Sequence, residues 1–237
     1  MHSPRLFSSP LLLGVMFCLS INAAAQVTDR AKLGKEIASL QEQLKAKEAQ
    51  FLEPSSEDKA AFAEFLRQSD TGLICLFPRG RYENVLTTRG GGAYYSFARL
   101  THEYGYGSDI TLEQGRFGVG FAGHDFGFLS VLGDIPLESV NLQHASAQFL
   151  VDYTPSTTEP DIRNQQRQSQ TGVRAGNFTY SSSAAAMANT TYVLRSISYR
   201  GSDVLIAFRV VRADSDGGMV LLWKMLKKFP VPITARQ

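Results

Sequence analysis

The chain has 237 residues with 24 Lys and Arg against 22 Asp and Glu. This net charge of +2 excludes the strongly basic composition on which nucleic-acid binding or adsorption to anionic membranes relies. Hydrophobic residues make up 43% and charged residues 19%, which excludes a disordered chain and is typical of a protein with a globular core.

Residues 1–25 have the pattern of an export signal. Arg5 provides the positive charge, residues 11–21 are apolar, and Ala23 to Ala25 form a small-residue cleavage site. We therefore expect an exported chain, periplasmic or extracellular, without stable membrane insertion after cleavage. An uncleaved membrane anchor is the alternative, because the two patterns resemble each other.

Residues 26–53 predict one long helix with a narrow apolar seam. The segment from residue 28 to residue 52 is rich in Ala, Lys, Glu, Gln and Leu, which favour helices. Its apolar residues follow the alternating spacings of four and three found in coiled coils, except that Lys47 stands at one expected position: Leu33, Ile37, Leu40, Leu44 and Phe51. The helix either associates with another copy or docks on its own domain, and the sequence leaves both open.

A second, short amphipathic helix is expected after Pro54. Ser55 and Asp58 have the spacing of a capping box, and Phe62, Phe65 and Leu66 fall on one face. This segment begins the predicted domain at residues 54–237.

From residue 73 the pattern changes to short runs of β-branched and aromatic residues separated by turn residues. The predicted strands lie near 73–77, 82–87, 93–100, 109–113, 116–122, 126–132, 147–153, 173–180, 191–199, 203–212 and 219–229. Because no helices are expected between them, the fold class is mainly β: an antiparallel β-sandwich or barrel preceded by the N-terminal helical segment. Residues 154–171 are interpreted as a polar loop, either disordered or a lid, and residues 181–189 as a weakly specified connection.

Two cysteines are present, and Cys18 would leave with the signal. Cys75 then has no disulfide partner within the chain. It stands in an apolar run, which predicts a buried and unreactive thiol.

The candidate binding surface follows residue 88. Arg89 precedes three glycines, whose backbone amides can form an anion-binding nest. Several tyrosines follow the glycines. We expect them to stack on sugar rings or to hold an apolar ligand, because each tyrosine ring combines a flat apolar face with a polar hydroxyl. The predicted ligand-binding residues are Arg89, Tyr94, Tyr95, His102, Tyr104 and Tyr106.

Two pairs of neighbouring residues carry acid-base or metal-binding groups. They are His102 with Glu103 and His124 with Asp125. A hydrolase or metal-dependent enzyme would require these four side chains to converge, and neither pair stands in a catalytic motif. The leading hypothesis is a non-catalytic exported binding or structural protein without a cofactor or bound metal, self-associating through residues 28–52. An enzyme using the two pairs, or a carrier of a small apolar ligand inside a barrel, is the alternative.

Overall fold

The computed structural model describes residues 13–102, 105, 107–121 and 123–235, with side chains from residue 29 onward. The predicted signal at residues 1–25 lies outside the residues whose side chains are described, as do Glu103, Tyr104 and Tyr106. Contacts within the chain divide it into two compact units, Met1–Lys47 and Glu48–Gln237.

The structure confirms the predicted N-terminal helix, whereas its pairing as a coiled coil stays a prediction. Helix α1 spans Leu13–Leu52, and helix α2 spans Ser56–Ala61. The capping box is present, because Ser55 Oγ accepts from the Asp58 amide at 3.0 Å while Asp58 Oδ2 accepts from the Ser55 amide at 3.3 Å. A short 3₁₀ turn, Phe65–Arg67, follows α2 and buries Phe65.

The rest of the chain is mainly β, as predicted, with three antiparallel sheets among the described residues. The strands are β1 Thr71–Leu76, β2 Tyr94–Tyr95, β3 Ile110–Glu113, β4 Arg116–Gly118, β5 Phe126–Gly133, β6 Val173–Ala175, β7 Phe178–Tyr180, β8 Ser183–Ala185, β9 Thr191–Ser198, β10 Ser202–Ala213 and β11 Met219–Lys228. Sheet A has the order β1-β11-β10-β9-β5, sheet B the order β2-β3-β4-β8, and sheet C is the hairpin β6-β7.

The largest core cluster contains side chains from both sheet A and sheet B. Val204, Ile206, Phe208 and Val210 of β10 all belong to it, because every second residue of a strand points to the same face of the sheet. Leu112 and Phe117 enter the same cluster from sheet B. The opposite face of sheet A buries a second cluster beneath a helix, α3 (Ala145–Asp152). Leu221 and Trp223 of β11 belong to the first cluster and Met219 and Met225 pack against it, whereas Phe229 packs in the second cluster.

Two helices replace elements that were expected to be a strand and a loop. Helix α3, Ala145–Asp152, stands where a strand was predicted at 147–153, and its buried Ala147 and Leu150 follow helical spacing. Helix α4, Glu159–Thr171, stands within the predicted loop at 154–171. Pro160 occupies its first turn, where the missing backbone amide has no hydrogen-bond partner to lose, so this proline is compatible with a helix.

Other strand predictions were too long or wrong. Residues 82–87 form turns rather than a strand, and 93–100 contain only the two-residue β2 with one isolated bridge at Ser96. The run predicted at 173–180 is two strands, because Gly176 takes a positive φ of 59° and turns the chain back. Within 181–189 the chain forms β8, which pairs with β4.

Cys75 is buried and free, as predicted. Burial raises the pKa of its thiol to about 11, so the reactive thiolate is scarce at neutral pH.

Candidate functional site

The glycine-rich turn after Arg89 packs tightly against other parts of the chain. A Cβ atom on Gly92 would lie 2.5 Å from Cδ2 of Leu52, in the last turn of α1, and 3.1 Å from the ring of Phe77. On Gly91 it would lie 2.7 Å from the backbone of Tyr82. Both glycines have positive φ, at 60° and 82°. The glycines are therefore required where the chain crosses itself without room for a side chain.

The anion bound beside this turn is a carboxylate of the same chain. Glu48 is buried, and it accepts hydrogen bonds from the Thr87 amide, from Thr87 Oγ1 at 2.8 Å and from Thr88 Oγ1 at 3.3 Å. Desolvation opposes ionisation of Glu48, but these hydrogen bonds outweigh it and lower its pKa. The Glu48 carboxylate thus lies beside the glycine-rich turn, and anion binding by the glycine amides themselves stays a prediction.

Arg89 lies at the edge of a polar recess of about 490 Å³ next to this turn. Arg79 also lines it, and its guanidinium is 3.2 Å from Glu113 Oε1 and 3.8 Å from Glu83 Oε1. The recess therefore contains acidic as well as basic groups, which weakens any attraction to a free anion.

Tyr94, Tyr95 and His102 are brought together, but mostly out of solvent. Both tyrosines are buried, and the Tyr95 and His102 rings meet edge to face with centroids 5.2 Å apart. His102 Nδ1 lies 3.0 Å from the Tyr94 carbonyl oxygen, so this nitrogen carries the proton. Burial lowers the pKa of His102 to about 4, which keeps the ring neutral. The ligand-binding role of these residues stays a prediction, and Tyr104 and Tyr106 lie outside the described residues.

His124 and Asp125 have partners that hold the fold together. His124 Nε2 is 3.7 Å from Glu159 Oε1. Asp125 Oδ1 accepts from the Tyr199 amide at 3.1 Å, and a hydrogen bond from Ser198 also favours its ionised form. Burial nevertheless raises the pKa of Asp125 to about 6, and the charge of Asp109 adds to this.

Asp109 is the second buried carboxyl in this region. It accepts from Ser96 Oγ at 3.2 Å and from the Ala98 amide at 3.1 Å, while its Oδ1 has no hydrogen-bond partner among the described residues. Desolvation raises its pKa although hydrogen bonds, the first from Ser196, act against it. Within the described part of the chain, no three His, Cys, Asp or Glu side chains cluster closely enough to hold a metal ion.

Ionisation of Asp125 is expected to make the fold less stable as pH rises. The ordinary aspartate pKa is about 3.9, and in the folded chain that of Asp125 is about 6. The folded state binds this proton more tightly, so the stabilisation is complete below about pH 4 and is lost as pH rises through about 6. Asp125→Asn, which remains neutral, should abolish that part of the decline in urea midpoints measured between these pH values. Asp134→Asn, at a carboxylate with a 79% exposed side chain, is the control. If the urea midpoints of wild type and Asp125→Asn changed in parallel with pH, the expectation would be contradicted.

A second recess, of about 600 Å³, lies between α3 and sheet C. Phe149 and Tyr153 line it from the helix side, and Phe178 and Tyr180 line it from the hairpin. None of these residues was predicted as a site residue. Two features of the sequence could have indicated this recess. The Gly176-Asn177 pair is typical of a hairpin turn, and the four-residue spacing of Phe149 and Tyr153 is typical of one face of a helix.

Comparison of the chain with protein-family models, with curated proteins and with solved structures finds no match. Among the helices of the described residues, none has both the length and the apolar character needed to cross a membrane.

Proposed function

We propose that this is an exported, non-catalytic binding or structural protein of the cell envelope that pairs with a second copy through helix α1. The observation that carries the proposal is an exposed apolar row on that helix. Leu33 and Ile37 are each 55% exposed, Leu40 is 63% exposed and Leu44 is 43% exposed. A continuous exposed apolar row favours association, because pairing removes it from water.

A second copy fits this row better than an unrelated partner does. The spacing places Ile37 and Leu44 at the a positions of a heptad, and Leu33 and Leu40 at the d positions. Ile37 places a β-branched residue at one a position and leucine stands at both d positions, a combination that favours parallel two-stranded coiled coils, while Leu44 occupies the other a position. Two identical helices can then pair these four layers in register. Because the seam is short, we expect the dimer to form only at micromolar or higher concentrations. This corresponds to a free energy of association of about 8 kcal/mol or less.

Export rests on residues 1–25, whose charge, apolar run and small-residue cleavage site suit a signal peptide. The protein is then periplasmic or extracellular. Cell fractionation that finds a full-length precursor folded in the cytosol would contradict this part of the proposal.

Two open antiparallel sheets that share one core cluster support the β-sandwich rather than the barrel. The non-catalytic role is supported by the partners of the acid-base candidates. His102 donates to a backbone carbonyl and Asp125 accepts from a backbone amide, so both hold the chain in place.

The dimer is tested by a charge within the seam. Ile37→Asp is expected to convert the exported chain to a monomer in sedimentation equilibrium, because a buried, unpaired carboxylate opposes the pairing. Ala38→Asp is the control, since it places the same residue on an adjacent position outside the a/d row. A wild-type chain that stays monomeric at about 100 μM, or equal effects of the two substitutions, would contradict the proposal.

A further inference from the structure

The aromatic recess between α3 and the β6-β7 hairpin has a rigid base. Tyr180 is fully buried, and its hydroxyl donates to the Ser146 carbonyl oxygen at 2.9 Å. Phe149 packs on Tyr180 with ring centroids 4.5 Å apart, and Phe178 packs on it at 6.4 Å. Phe149 and Phe178 are only half-buried. The recess therefore offers two aromatic walls whose positions are set by a third, buried ring.

The rim of the recess is polar. Gln148 Nε2 donates to Asp152 Oδ2 at 2.7 Å, which orients the carboxylate from the helix side. Asn177 stands opposite, in the turn of the hairpin, and is exposed. Among the described residues that line the recess, Asp152 is the only charged one.

This combination restricts the chemistry of a ligand. The lone carboxylate disfavours an anionic ligand, because no basic side chain lines the recess in the described part of the chain. A wholly apolar ligand would lie against the polar rim without offering hydrogen bonds to the exposed Gln148, Asp152 and Asn177 side chains. A neutral sugar ring has an apolar C–H face for the aromatic walls, and hydroxyl groups that both donate and accept for the rim.

We propose that the recess binds a pyranose unit of a neutral glycan. The C–H face of the ring packs on Phe149 and Phe178, Asp152 accepts from its hydroxyls, and the Asn177 amide both donates and accepts. A volume of about 600 Å³ accommodates one or two sugar units, within the usual size of small-ligand sites. The proposal names a ligand class for the binding role above, but its residues come from one copy and do not depend on the pairing of α1.

The experiment is a calorimetric titration of the exported chain with neutral trisaccharides of glucose and of N-acetylglucosamine. We expect a dissociation constant of about 1 mM or below for at least one of them. Phe178→Leu and Asp152→Asn should each weaken this binding at least about tenfold. Asp134→Asn is the control for the carboxylate change, and unchanged thermal unfolding establishes that Phe178→Leu still folds.

Three results would overturn the inference. One is the absence of heat with every neutral trisaccharide at about 10 mM. Another is tighter binding of glucuronate or octanoate than of any neutral sugar. The third is sugar binding that both recess substitutions leave unchanged, which would locate the site elsewhere. Because Ile37 does not line the recess, Ile37→Asp should retain sugar binding, and a wild-type chain that is monomeric yet binds sugar would contradict the dimer alone.

Discussion

Replacing Arg195 with methionine is expected to lower the free energy of unfolding by about 3–5 kcal/mol. Arg195 Nε and Nη2 donate to the two oxygens of Asp203 at 2.8 and 2.7 Å, and the two side chains are 2% and 1% exposed. Removing the guanidinium leaves Asp203 buried without its cation. Such an unpaired buried charge is among the most costly single changes in a protein interior.

Arg195 also holds helix α3 on sheet A. Its Nη1 donates to the carbonyl oxygens of Leu150 at 2.5 Å and Tyr153 at 2.7 Å, at the C-terminal end of α3. The guanidinium carbon lies 3.6 Å from the centre of the Phe229 ring. Loss of Arg195 therefore removes the C-terminal cap of the helix that forms one wall of the aromatic recess.

Urea unfolding measures the effect, and Arg163→Met is the matched control. Arg163 pairs with Glu159 at 2.9 Å on the surface of α4, with side chains 56% and 45% exposed. Its loss should cost no more than about 1 kcal/mol. Combining Arg195→Met with Asp203→Asn should recover part of the stability, because no buried charge then remains. Similar losses for the two arginine variants would show that the buried pair contributes no more than a surface pair.

Gly127→Ala is expected to destabilise the β-rich unit by about 3 kcal/mol. Gly127 lies in β5, and a Cβ atom there would be 2.3 Å from the Arg195 carbonyl oxygen and 2.5 Å from Cγ2 of Val119. The first of these atoms is backbone in the paired strand β9, so it moves only if the sheet itself is distorted. The added methyl thus has no place in the native packing.

Thermal and urea unfolding of Gly127→Ala test this expectation, with Gly34→Ala as the control. A Cβ atom on Gly34, in α1, would meet no atom within 4 Å. This control should leave the β-rich unit unchanged and favour the helix by about 0.5–1 kcal/mol. Equal stability of Gly127→Ala and wild type would mean that the strands separate there without cost.

Local sequence patterns predicted the secondary structure correctly where hydrophobic periodicity and turn residues agreed over a long segment. Strands β10 and β11 alternate over ten to twelve residues between clear turn residues, so both their type and their buried faces were predictable, whereas all eight residues of β9 are buried. The capping box at Ser55 and Asp58 is a contact between residues three apart, which sequence spacing specifies directly.

The predictions of a strand at 147–153 and a loop at 154–171 were wrong because short apolar runs and prolines are compatible with more than one type of secondary structure. The run in α3 is as compatible with a strand as with a helix over eight residues, and its contacts with sheet A select the helix. Thr158 before α4, Pro160 in its first turn and Gly172 after it are helix start and stop signals, whereas the prediction for residues 154–171 is a polar loop.

The sequence by itself determined the elements with a strong period: the apolar row of α1, the buried faces of the C-terminal strands, and the unpaired cysteine. Only the tertiary structure decided that Glu48 binds beside the glycine-rich turn, that Tyr94 and Tyr95 are buried, and that an aromatic recess forms between α3 and sheet C. The reason is physical. Periodicity reports which face of one element is apolar, whereas these features depend on which distant faces meet, and that is decided by packing and hydrogen bonding across the whole unit.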